Sequence, residues 1–239
     1  MRYVLVIILS YFTLISKAQD FVISENDSTI TTEYNDGKLW AYRHINNYIV
    51  SLTCYESKDD YGKYYQIQIH INNLSSQNVT FDPDDVNASL IDKNGDSISL
   101  QVYTNEEFQK KVKRTQNWAM ALYGFSAGLN AGSAGYSTSY STTYSPNGYA
   151  YTTMTTHYNP NAAYQANIAA NAQISTLGKM MADERAIKEQ GYLKKTTIHP
   201  NEGIVGYMNI KRKKGYNLIV NIPLDGCVYS FEWDINKKK

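Results

Sequence analysis

A mainly β fold, an antiparallel β-sandwich interrupted by an inserted α-helical hairpin, is predicted by three features of this chain. Short stretches of alternating apolar and polar residues occur on both sides of its middle, at 48–103 and again at 193–233, with no βαβ alternation between them. The middle switches to apolar residues at helical spacing, with a capping signal at each helix start. From Thr115 through Gly178, 64 residues carry no Asp, Glu, Lys or Arg, while both flanks are densely charged.

The first residues are Met1-Arg2, then the uncharged Tyr3 to Ile15, then Ser16-Lys17-Ala18. A basic start, a short apolar run and a small-x-small site read as a secretion signal spanning 1–18, with Gln19 first in the mature chain. The apolar run is too short to cross a bilayer. No cysteine follows the site, so nothing suggests a lipid anchor. The protein is expected to be exported: periplasmic, associated with an outer envelope, or extracellular.

Lys63 to Asn72 is the clearest strand, with Tyr65, Ile67, Ile69 and Ile71 alternating with Gln66, Gln68 and His70. Tyr48 to Tyr55 puts Val50, Leu52 and Cys54 on one face. Val86 to Ile91 and Ser97 to Tyr103 flank an Asn94-Gly95 turn. Later strands are expected at Leu193 to Ile198, Gly203 to Ile210, Tyr216 to Ile222 and Cys227 to Trp233. The last of these aligns Cys227, Tyr229, Phe231 and Trp233. Residues 19–104 and 192–239 are therefore expected to form one β-sandwich, with 105–191 inserted.

Three segments carry a family resemblance: Ile71-Asn72-Asn73-Leu74-Ser75, Val79-Thr80-Phe81-Asp82-Pro83, and Leu193 to Gly206. They resemble secreted bacterial immunoglobulin-like modules, in which an Asn-Asn-x-Ser turn follows a long strand. The resemblance covers about half of the chain. It implies an immunoglobulin-like sandwich with a binding or assembly role outside the cytoplasm. The Cys-Trp-Cys spacing of antibody domains is absent.

Thr104-Asn105-Glu106-Glu107 is a capping-box pattern for the first inserted helix. Phe108, Val112, Trp118, Leu122, Phe125 and Leu129 follow at helical spacing. Asn159-Pro160 opens the second helix and Gly191 closes it. Along it Ala163, Ala166, Ala170, Ile174, Leu177 and Met181 keep a heptad-like rhythm. Gly124, Gly128 and Gly132, spaced by four, are expected to meet the Ala-rich start of the second helix in a close glycine-zipper packing. Between the helices, 136–158 is a Ser/Thr/Tyr-rich tip. It reads as a flexible segment, or as one that presents Tyr136, Tyr140 and Tyr144 to a partner, a glycan or lipid headgroups. The uncharged arms approach the length that crosses hydrocarbon. Asn117, Asn130, Asn161, Asn167 and Asn171 are each costly there, so packing on the sandwich or self-association is the expectation.

The chemistry that can be argued is mostly negative. Gly124-Phe125-Ser126-Ala127-Gly128 fits the Gly-x-Ser-x-Gly pattern of hydrolases, with Asp183 and His199 downstream in triad order. That motif needs a strand before the serine, whereas Trp118 to Tyr123 reads as helix. The four histidines, His44, His70, His157 and His199, lack metal-ligand spacing. Asp92-x-Asn94-x-Asp96 lacks the geometry of an EF-hand, and Asp82, Asp84 and Asp85 read as a solvated acidic turn. Lys211 to Lys214 is a basic run at a hairpin tip, a solvated feature or a contact for anionic lipid or polysaccharide.

Cys54 and Cys227, the two cysteines of the chain, leave two readings open: a disulfide closing most of the chain, or two buried free thiols. Residues 19–104 carry 5 basic and 13 acidic side chains and residues 105–239 carry 16 and 9. That split suits contact with the chain itself or with an oppositely charged partner, and no nucleic acid is expected. No cofactor, metal or catalytic residue is assigned. The sequence thus points to a non-enzymatic secreted or envelope protein whose sandwich presents a helical hairpin for partner, self- or membrane-surface association. A carbohydrate-binding sandwich and a hydrolase using Ser126 are the alternatives.

Overall fold

The computed structural model describes residues 21–23, 29–35, 37–144 and 150–236. The expected secretion signal and its expected cleavage site lie outside these residues. Along the chain run β1 (Val22–Ile23), β2 (Ile30–Asn35), β3 (Lys38–Ile45), β4 (Tyr48–Asp59), β5 (Gly62–Asn73) and β6 (Val79–Phe81). A 3-10 turn at Pro83–Asp85 precedes β7 (Asn87–Ile91), β8 (Ser97–Leu100) and β9 (Val102–Tyr103). Then come α1 (Asn105–Ser133), β10 (Tyr136–Tyr144), β11 (Ala150–Tyr158) and α2 (Pro160–Gln190). The chain closes with β12 (Thr196–Ile198), β13 (Gly203–Lys211), β14 (Asn217–Leu224) and β15 (Cys227–Asp234).

The result is an α+β architecture of mostly antiparallel sheets with two long packed helices. Five strands order as β1-β15-β14-β7-β8 and six as β2-β3-β4-β5-β13-β9, with β12-β6 and β10-β11 as two-stranded pairs. Side-chain alternation explains why the two large sheets meet. In β14 Leu218, Val220, Ile222 and Leu224 are buried, in register with Trp233, Phe231 and Tyr229 of β15. In the six-stranded sheet Val50, Leu52 and Cys54 of β4 pair with Ile71, Ile69 and Ile67 of β5. All belong to one apolar core, and the Tyr229 hydroxyl crosses between the sheets to donate to the Ile45 carbonyl at 3.0 Å.

Asn73 gives the Asn-Asn-x-Ser turn its physical basis. It is fully buried. Its amide donates to the carbonyls of Gln77 at 2.7 Å and Ile198 at 3.0 Å, and its side-chain oxygen accepts from the Ser75 backbone at 2.9 Å. One side chain thereby ties the end of β5 to the segment after it and to β12.

Some boundaries differ from expectation. The stretch Ser97 to Tyr103 is two strands, because the chain crosses at Gln101 from the five-stranded to the six-stranded sheet. Leu193 to Ile198 is a strand only from Thr196, since Leu193 is taken up by a backbone bond from its N–H to the Tyr207 carbonyl. The tip segment is a β-hairpin of nine consecutive pairs, Tyr136↔Tyr158 through Tyr144↔Ala150. Thr and Tyr favour extended backbone, and that preference prevails in a segment whose strands hold only Ala150 and Met154 as non-aromatic apolar residues.

The two thiols are free. Cys54 is buried in mid β4, whereas Cys227 begins β15 beside Asn46, whose amide donates to its sulfur at 3.4 Å. Cys54 lies six residues up β4 from Tyr48, about 20 Å along the strand from that turn. A disulfide needs α-carbons within about 7 Å.

Candidate functional site

The inserted helices leave the β body from a polar and aromatic root. The Thr104 side chain accepts from the Glu107 backbone and Glu107 returns the bond to the Thr104 N–H, the capping box the sequence announces. In the next two turns Phe108 and Val112 are buried and belong to the core of the β body. The Phe108 ring stacks on Tyr192 at 5.3 Å and meets the Tyr64 ring edge-on at 5.7 Å. Lys111 donates to the Tyr64 hydroxyl at 2.7 Å and lies over that ring. The body's core therefore runs past residue 104 into the root of the arm.

One turn further, the buried Gln116 is the hub of a polar clamp. Its amide donates to the Tyr61 hydroxyl at 2.9 Å and to the Met181 carbonyl at 3.0 Å, and its oxygen accepts from Arg185. Tyr61 donates to the Glu184 carboxylate at 2.5 Å. Desolvation first, then the bond to Glu184, pushes the Tyr61 phenol up to about 12. Lys188 pairs with Asp59 at 2.9 Å, and Asp59 accepts the backbone N–H groups of Tyr61 and Gly62 at the β4–β5 turn. Charges and amides on both helices thus grip a single turn of the six-stranded sheet. A sign of this was present in the sequence: Gln116 is the polar member of a seam that Met120, Tyr123, Ala127 and Ala131 continue at spacings of four and three.

That seam, rather than the large apolar residues, is the side of α1 that faces α2. Met120 lies against Gly178, and Tyr123 donates to Gln173 at 3.0 Å. The glycine zipper is not where the helices meet: a Cβ placed on Gly124, Gly128 or Gly132 would touch nothing within 4 Å. Two stripes of helical spacing run along α1, and periodicity cannot say which one a partner helix takes. Ala131 and Ala163 are buried and Ala127, Ala166 and Ala170 half-buried, while the glycines are left facing open space.

The other stripe is uncovered. Trp118, Leu122, Phe125 and Leu129 are 69%, 55%, 69% and 61% exposed, on the side of α1 away from α2. Tyr164, Ile168, Met180 and Ile187 are exposed on α2. Beyond Gln116, Ala131 is the one buried residue of α1, and Ala163 the one buried residue of α2. No helix among the described residues is long and apolar enough to cross a membrane.

At the far end, the Tyr136 and Tyr158 rings lie 4.9 Å apart and close the base of the hairpin. Gly135 is needed there, because a Cβ would come within 2.6 Å of the Tyr158 ring. Alternation places Tyr136, Thr138 and Tyr140 with Met154, Thr156 and Tyr158 on one face. Ser137, Ser139 and Ser141 lie with Thr153, Thr155 and His157 on the other. Tyr144 pairs through its backbone with Ala150.

The remaining candidates are dispersed. Ser126 lies inside α1 and donates to the Tyr123 carbonyl at 2.9 Å, with helix rather than strand before it. Asp183 is on α2, and His199 sits across the β body with Asn78 as its partner at 3.1 Å. Asp82 caps the 3-10 turn and pairs with Lys195 at 2.6 Å. In the basic run, Arg212 is held by Glu56 at 2.7 Å. Among the described residues no group of three or more His, Cys, Asp or Glu is placed to hold a metal ion.

The open face of the six-stranded sheet carries a feature that strand-by-strand reading missed. Register sets Tyr42 opposite Ser51 and Ser51 opposite His70, with Trp40 and Gln68 one step along. A hollow of about 520 Å³ beside them is lined by Thr31, Glu33, Tyr42 and His44. Comparison of the chain with protein-family models, with curated proteins and with solved structures gave no match.

Proposed function

We propose that this chain is an exported, non-enzymatic assembly protein, in which an immunoglobulin-like β-sandwich is the scaffold and the helical arm is the element that associates. The exposed stripe Trp118-Leu122-Phe125-Leu129 carries this reading, because contiguous apolar patches on a surface mark contact sites. Burying the exposed parts of these four side chains would contribute about 4–7 kcal/mol. Association itself costs about 4–15 kcal/mol. The stripe alone therefore supports a weak contact, and a lasting one needs further surface. Export rests on the Met1 to Ala18 pattern, and mass analysis of released protein should find Gln19 at its N-terminus.

The test is to shorten the arm without touching its root. The Gln116 amide already lies 3.0 Å from the Met181 carbonyl, so a short Gly/Ser linker can replace Asn117 to Met180 at little closure cost. The shortened protein should fold and lose association with partner, copy or membrane surface. Association that persists in the folded, shortened protein would move the function to the β body.

There the second reading applies. Trp40, Tyr42, Gln68 and His70 on one sheet face form the mixture of aromatic surface and amide or imidazole donors that suits a carbohydrate. Affinity electrophoresis in soluble polysaccharides, with Trp40→Ala as the control, checks it. Mobility unchanged in every polysaccharide would remove it.

A further inference from the structure

The tip hairpin has two free edges. Among the described residues β10 and β11 pair only with each other, and their residues from 136 to 143 and from 152 to 158 are exposed. Natural proteins shield such edges with charges, prolines, bulges or very short strands. None of these devices is present. Each strand is nine residues long, neither contains Asp, Glu, Lys, Arg or Pro, and all nine pairs run without a bulge. A two-stranded hairpin is marginally stable in water until further strands or a packed face join it. Among the described residues no strand of the β body pairs with it.

The chemistry of the edges selects the occupant. An uncharged hairpin offers no long-range attraction to a partner of opposite charge. What it offers is backbone N–H and C=O groups and a period-two pattern of Ser, Thr and Tyr. A strand of equal length and equal pattern satisfies these best, and the same hairpin on a second copy supplies it. We propose that copies of this chain associate edge to edge through β10–β11, continuing the hairpin into an intermolecular antiparallel sheet. The proposal rests on the arm being the associating element. It adds the surface that the weak helical stripe lacks. The hydroxyl contact between Thr142 and Thr152 at 3.0 Å is the kind of cross-strand pair that would recur between copies.

The experiment uses the full mature chain. Its mass is followed by light scattering over its soluble concentration range, and hydrogen exchange of the hairpin amides is followed alongside. Wild type should self-associate, with hairpin amides more protected in the oligomer than in the monomer. Ser139→Lys combined with Thr153→Lys places one edge charge on each strand, not directly opposite each other, and should abolish the oligomer. Ser139→Gln with Thr153→Gln keeps the bulk without the charge and should retain it. A chain that stays monomeric, or an oligomer that survives both lysines, overturns the proposal. Equal loss in the Lys and Gln variants does so too, because charge at the edge is then not what matters. Oligomers that resist the lysines but dissolve with Phe125→Lys would leave the arm as the associating element and remove the hairpin edges from the account.

Discussion

Phe108→Ala tests whether the root of the arm is part of the body's core. Phe108 is 1% exposed and its ring touches Tyr64, Tyr103 and Tyr192. Those neighbours cannot readily close the gap. Tyr64 accepts from Lys111, and Tyr192 donates to the Tyr103 carbonyl at 2.7 Å and accepts from the Asn209 N–H at 3.0 Å. Phe→Ala in a core costs about 3–5 kcal/mol, more where the site cannot collapse, and the two closest ring pairs add about 0.5–1.5 kcal/mol each to what is lost. A loss of at least about 4 kcal/mol is expected, a large share of the stability of an ordinary domain. Phe125→Ala is the matched control, the same change on the same helix at a residue 69% exposed; it should shift stability by no more than about 0.5 kcal/mol. Equilibrium urea unfolding, read by tryptophan fluorescence from Trp40 and Trp233 in the body and Trp118 in the arm, measures both. Equal losses in the two variants would refute the reasoning, since position in the core would then not govern the cost.

Replacing Gly124, Gly128 and Gly132 by alanine should raise the melting temperature, because each new Cβ meets nothing within 4 Å and each glycine in a helix interior costs about 1 kcal/mol; a lower melting temperature would mean that these glycines are packed. Burial raises the phenols of Tyr61, Tyr65, Tyr207 and Tyr229 to about 12. Their folded values lie above the unfolded value of 10.0, so this stability is complete below pH 10.0 and is lost as pH rises toward about 12. Ultraviolet titration should show these tyrosines ionising together with unfolding, and smooth ionisation in a folded protein would contradict it. A thiol reagent should modify Cys227 in the native protein and Cys54 only after unfolding, since burial first and Glu56 second push the Cys54 thiol up; rapid modification of both would place Cys54 outside the core.

The strands were most legible where one face is buried. Ile67, Ile69 and Ile71 announce β5, and the capping residues Thr104 and Asn159 mark the helix starts, because both signals are local. Three things escaped. β2 and β3 read poorly because Thr31, Glu33 and Tyr42 belong to an open sheet face and interrupt any apolar rhythm. Their spacing by four puts Gly124, Gly128 and Gly132 in the seam between the helices, whereas Met120 and Tyr123 face α2 and the glycines face open space; periodicity alone does not separate the stripes. The tip hairpin has little aliphatic material and so resembles a loop, although Tyr and Thr, which favour extended backbone, recur on both sides of Pro146-Asn147-Gly148 in the sequence. The clamp of Asp59, Tyr61, Gln116, Glu184 and Lys188 links α1 and α2 to the β4–β5 turn through bonds between residues 55 to 129 positions apart, and no local pattern encodes it.

Held by that clamp at one end only, the arm is a cantilever. The helical part of α1 beyond Gln116 is about 26 Å long, with Ala131 as its one buried residue. A tilt of about 10° at the root would sweep its far end through about 4–5 Å, roughly the spacing of adjacent strands. Any looseness in five side chains at the β4–β5 turn is thus magnified into lateral search at the tip. A load applied to the tip returns to the same turn as torque, concentrated on the Lys188–Asp59 pair and the Gln116 amide.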